Sequence, residues 1–168
     1  MRTPSVPGGD SRPLVIGLGN EHRGDDRCGL EVVRALGLRL GGEVRLVEGP
    51  EDVTELLALW ADADRVIVID AVRSGGTPGT IHRFELPGTE LPSRLGATST
   101  HGLTLADAVA LARSLGRFPS HVTVFGIEAG PVEMSDGLSA PVVRAVGEVA
   151  EKVVAELRGS VARKGADQ

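Results

Sequence analysis

Two hydrophobic rhythms run through the chain. The first consists of short, unbroken apolar runs. Leu14 to Leu18 and Val66-Ile67-Val68-Ile69 are of this kind, as is the stretch carrying Val122, Val124, Phe125 and Ile127. Such runs suit strands buried on both faces of a parallel sheet. Glu43 to Glu48, with Val44, Leu46 and Val47 as its apolar members, reads as a further strand. Thr80 to Leu86 alternates and follows Arg65 to Ala71 after the turn cluster Ser74 to Gly79, which predicts an antiparallel edge strand.

The second rhythm has helical period. Leu30, Val33, Leu36 and Leu40 mark a helix from about Asp26, stopped by Gly41-Gly42. Val53, Leu56, Leu57 and Trp60 mark a second within Glu51 to Trp60, and Leu105, Ala108, Ala112 and Leu115 a third. Ser139 is placed to cap a last helix with Val142, Val146, Val149, Val153 and Leu157 on one stripe. Pro87 to Ser99 and Glu128 to Leu138 read as loops.

The order β-α-β-α-β-β-α-β-α predicts an α/β fold. It is a three-layer sandwich with a mostly parallel five-stranded twisted sheet, one antiparallel strand, and helices on both faces. Residues 1–13 are expected to form a flexible lead, 14–158 a single domain and 159–168 a flexible tail. In such sheets ligands bind outside the carboxyl ends of the strands, at the switch point.

Composition narrows the chemistry. A net charge of −5 and 2% aromatic residues leave neither the basic stripe nor the stacking platforms of a nucleic-acid binder. No run is long enough for a membrane helix, and the N-terminal stretch lacks a signal-peptide core. Cys28 is the single cysteine, so an internal disulfide is impossible. A cytoplasmic protein is expected.

Three residues stand where this fold would deliver them to one place. Asp26 follows the first strand and its loop, Asp70 ends the third strand, and His101 precedes a helix. Two carboxylates and an imidazole in one crevice would make a divalent-metal site with open positions. Each has a plainer reading: a helix-dipole partner for Asp25 and Asp26, a loop cap for Asp70, a solvated loop residue for His101. His22, His82 and His121 read as solvent-facing or edge residues, and Cys28 as a small core residue. Gly17-Leu18-Gly19 starts a dinucleotide fingerprint, but His22 stands where its third glycine belongs. The chain carries neither H-E-x-x-H nor G-x-S-x-G.

Taken together, Gly17-x-Gly19-Asn20 with Asp25-Asp26, Ile69-Asp70-Ala71, Ser99-Thr100-His101-Gly102-Leu103, Phe125-Gly126-Ile127-Glu128 and Gly137-Leu138-Ser139 resemble the [NiFe]-hydrogenase maturation endopeptidases, from about Leu14 to Leu157. The resemblance implies a twisted mixed sheet between helix layers. It implies an endopeptidase that removes the C-terminal extension of a hydrogenase large-subunit precursor after nickel insertion. By position it places the metal ligands on Asp26, Asp70 and His101, with Asp26 and Asp70 as the catalytic carboxylates. Some members have Glu at the Asp26 position, and Asp25 is the alternative ligand here. The nickel is expected to come with the substrate protein, and other divalent metals to fit the same site. A nickel-checking chaperone that does not cut, and a small-molecule metallohydrolase, would use the same three residues.

Overall fold

In a computed structural model the chain forms a five-stranded sheet between two helix layers. The structure describes residues 10–50, 52–92, 95, 104–131 and 137–164, and side chains up to residue 159. In chain order the elements are β1 (Leu14–Gly17), α1 (Cys28–Leu40), β2 (Arg45–Glu48), α2 (Val53–Ala61), β3 (Arg65–Val72), β4 (Ile81–Leu86), α3 (Leu105–Ser114), β5 (His121–Glu128) and α4 (Ala140–Lys164). The strands lie in the order β2-β1-β3-β5-β4. All pairs are parallel except β4 with β5. The expected architecture is therefore the observed one.

Residue parity on the strands divides the core. Val15, Ile67, Ile69, Phe125 and Ile127 pack with α1 and α4, whereas Leu14, Ile16, Val66, Val68, Val122 and Val124 pack with α2 and α3. Both faces of the central strands are thus covered, which explains their unbroken apolar sequence. Each fully buried Val, Leu or Ile contributes roughly 1.5–3 kcal/mol by leaving water. The helix ends follow local chemistry. The Asp52 carboxylate accepts the Glu55 N–H at 2.9 Å, and Thr104 and Asp107 form a reciprocal capping box.

Several boundaries differ from the sequence expectation. Gly24–Arg27 forms a separate 3₁₀ turn, and α1 begins at Cys28 rather than at Asp26. β5 runs through Glu128, which pairs with Val72 instead of opening a loop. Leu115 lies beyond α3 and is exposed, while Val109 takes its place on the buried face. The last helix continues to Lys164, past the expected fraying point at 159.

The start of α1 is pressed onto the ends of two strands. Leu18 donates its N–H to the Ile69 carbonyl at 2.8 Å, and Gly29 sits directly over this junction. A Cβ at Gly29 would collide with the carbonyl oxygens of Leu18 and Ile69. Gly19, at φ +137°, lies equally close to the Asp26 carbonyl, and only glycine adopts that conformation without strain. Gly17 and Gly19 therefore make room for the protein's own backbone. The turn that carries Asp26 and the start of α1 are what lie against these glycines. Gly29→Ala is expected to lower the unfolding free energy by about 3 kcal/mol through overpacking against rigid backbone, with equilibrium urea unfolding as the check.

Candidate functional site

The carboxyl ends of β1 and β3 meet at the point where successive connections leave to opposite sides of the sheet, which is where this architecture binds ligands. Asp70 is the third residue from the end of β3, paired across to Gly126, and is 1% exposed. One carboxylate oxygen accepts the Ala71 N–H at 2.8 Å. The other, Oδ2, is buried with no hydrogen-bond partner among the described residues. Burial pushes the Asp70 carboxyl up to about 7, opposed by the Ala71 N–H and reinforced by the nearby negative charge of Asp26. Asp26 is fully buried in the 3₁₀ turn laid over the strand ends. The structure thus brings the two predicted carboxylates together.

Asp25 has a different task. Its Oδ1 accepts the Ser139 N–H at 2.6 Å, and its Oδ2 accepts the Gly130 N–H at 2.9 Å and the Ser139 hydroxyl at 2.8 Å. These bonds tie the turn after β1 to the chain after β5 and to the start of α4. Ser139 holds its expected place before the last helix, but its hydroxyl donates to Asp25. Asp25 is therefore the clamp, and Asp26 is the neighbour whose charge acts on Asp70. A cleft of about 350 Å³ opens beside Asp25, walled by Gly24, Pro78, Pro131 and Leu138; neither Asp26 nor Asp70 lines it.

His101 lies outside the described residues. Leu95 bridges to Val72 on β3, and its carbonyl accepts the Leu105 N–H at 3.3 Å. Among the described residues no group of three His, Cys, Asp or Glu side chains is close enough to hold a metal ion. The pair of oxygen donors, one of them with a buried oxygen open to a partner, fits a hard or borderline divalent cation that brings further ligands. Cys28 is buried in the core, and burial, then Asp70 and Asp26, push its thiol well up, which excludes a resting thiolate. His22 and His121 are exposed, as expected.

Two residues of this edge were not singled out from the sequence. Glu128 ends β5 fully buried and accepts hydrogen bonds from the Ser74 N–H (2.8 Å), the Ser74 hydroxyl (2.7 Å) and the Gly76 N–H (3.1 Å). His82 Nε2 lies 3.4 Å away. Burial raises the Glu128 carboxyl, but these donors outweigh it and hold it below the ordinary range. Its signal was available: like Asp70, it is an acid closing an apolar strand. Arg73 follows β3, donates to the Gly130 carbonyl at 2.9 Å and places Nη2 4.0 Å from Asp26 Oδ1. An arginine just past a strand has no distinguishing pattern.

Residues 30–156 match the hydrogenase maturation protease family. The chain belongs to that family. It is 34% identical over 153 residues to the hydrogenase 2 maturation protease of Escherichia coli, covering 89% of this chain and 92% of that one. It is 35% identical over 131 residues to the hydrogenase expression/formation protein HupD of Thiocapsa roseopersicina, and there it spans only 58% of the relative's length. The solved structure of the E. coli hydrogenase maturating endopeptidase HybD superposes with a TM-score of 0.74 at 32% identity, over 89% of this chain and 93% of that one. This maturation-protease fold is the one the sequence resemblance implied. No helix among the described residues is long and apolar enough to cross a membrane.

Truncating the clamp tests how the edge is held. Asp25→Ala leaves a buried Gly130 N–H and the Ser139 donors without their acceptor. The variant is expected to lose about 3 kcal/mol of unfolding free energy, read by urea denaturation, with Asp25→Asn falling between it and the wild type.

Proposed function

We propose that this family member is an endopeptidase that removes the C-terminal extension of a [NiFe]-hydrogenase large-subunit precursor once nickel has been inserted. The observation that carries the reading is the buried pair Asp26–Asp70, with an oxygen of Asp70 open to a partner at the ligand-binding edge of the sheet. Nickel arrives as part of the substrate, and Asp26 and Asp70 are the residues that would meet it, joined by His101. Bound there, it anchors the precursor so that the scissile bond lies beside the carboxylates.

The chemistry of the pair follows from its surroundings. Before nickel is met, Asp70, raised by burial and by Asp26, holds a proton near neutral pH, and binding the metal releases it. That released proton is the one available to the departing amide nitrogen. Asp26, facing a guanidinium at 4.0 Å, is the member suited to take a proton from the attacking water. The buried, protonated Cys28 takes no nucleophilic part. The enzyme works in the cytoplasm, where the precursor is assembled.

Intact-mass analysis of a large-subunit precursor mixed with this protein tests the reading, with and without nickel loading. The expected result is loss of one C-terminal peptide from the nickel-loaded precursor only, with the rate reduced at least about a hundredfold in Asp70→Asn. Full-rate cleavage by Asp70→Asn would remove Asp70 from the mechanism. Binding without any mass change would make the protein a nickel-checking chaperone.

A further inference from the structure

The endopeptidase reading uses Arg73 only as a charge beside Asp26, yet backbone contacts hold this side chain in place. Asp25 Oδ2 accepts the Gly130 N–H at 2.9 Å, and the Gly130 carbonyl accepts Arg73 Nη1 at 2.9 Å. Arg73 Nη2 then lies 4.0 Å from Asp26 Oδ1. That separation is an ion pair without a hydrogen bond. Arg73 Nε is buried and has no acceptor among the described residues, so the seat does not satisfy the guanidinium's donors. What the seat does is hold a positive charge beside Asp26, one member of the carboxylate pair. The clamp residue Asp25 thereby reaches Asp26 twice, once through the turn they share and once through Gly130 and Arg73.

Two buried carboxylates without a cation nearby would attract any divalent ion in solution. A fixed guanidinium offsets one negative charge and repels an incoming dication. A metal carried by a docked protein is affected less, because the docking surface supplies the affinity and fixes the local concentration. We infer that Arg73 is a specificity-determining residue: it lowers the affinity of the Asp26–Asp70 pair for free divalent ions, so that the site answers to nickel delivered within a substrate. The inference rests on the reading that this pair meets the nickel.

The test is calorimetric titration of nickel chloride into the tag-free, full-length protein. Arg73→Gln is expected to bind nickel at least about tenfold more tightly than the wild type, while Arg73→Lys, which keeps the charge, stays within about threefold of it. The gain should vanish in the Arg73→Gln/Asp70→Asn double variant. Arg73→Met, which keeps the apolar stem, serves in place of Arg73→Gln if melting curves show the latter misfolded. Unchanged nickel affinity in the neutral variant, an equal gain in Arg73→Lys, or a gain that survives loss of Asp70 would each overturn the inference. None of these results touches precursor cleavage, which is read separately by mass. Failure of the Arg73 inference and failure of the endopeptidase reading are therefore distinguishable.

Discussion

Burying two carboxylates that act on one another is the constraint around which this structure is arranged. A charged carboxylate is costly away from water, and a second one nearby compounds the cost. Asp26 and Asp70 are nevertheless both removed from solvent. Asp70 is held by a single N–H, and its charged form is penalised accordingly. What keeps them there is backbone packing. Gly29 lets α1 settle on the carbonyls of Leu18 and Ile69, and Gly19 lets the turn close over the end of β1. The glycines that suggest a phosphate loop instead bring one acid down onto the other.

The remaining buried acids of this edge are satisfied, and the contrast is informative. Asp25 and Glu128 each accept three hydrogen bonds from backbone N–H groups and serine hydroxyls. They fix the chain after β5 and the turn after β3, the two segments that border Asp26 and Asp70. Strong satisfaction of the frame accompanies an Asp70 oxygen with no hydrogen-bond partner among the described residues. A site that stores an unmet interaction at its centre and stability at its rim is organised for a ligand.

Much of this is legible in the chain before any coordinates. The unbroken run Val66 to Ile69 announces a strand covered on both faces, and an acid at its end announces the binding edge. The alternation of Thr80 to Leu86 announces the edge strand. Three things are not legible, each for a physical reason. Adjacent acids in a 3₁₀ turn point in different directions, so Asp25 and Asp26 cannot be told apart without Gly130 and Ser139, more than a hundred residues away. The close approach of Gly29 to two strand ends is a three-dimensional contact with no local signature. Arg73 acquires meaning only from the Gly130 carbonyl that orients it. Leu115 fails for a simpler reason: the helix ends one residue earlier, so its periodic position has no face to join.

The coupling of the two carboxylates can be read directly by following the Asp70 side-chain carboxyl carbon by NMR as pH is varied, in the wild type and in Asp26→Asn. The account predicts a wild-type midpoint near 7, as the structure indicates, and a lower midpoint once the Asp26 charge is gone. By linkage, a folded-state value above the ordinary 3.8 means that Asp70 lowers stability as pH rises between the two. A midpoint in the ordinary carboxylate range, unchanged by Asp26→Asn, would contradict the account: the two acids would then be solvated and independent.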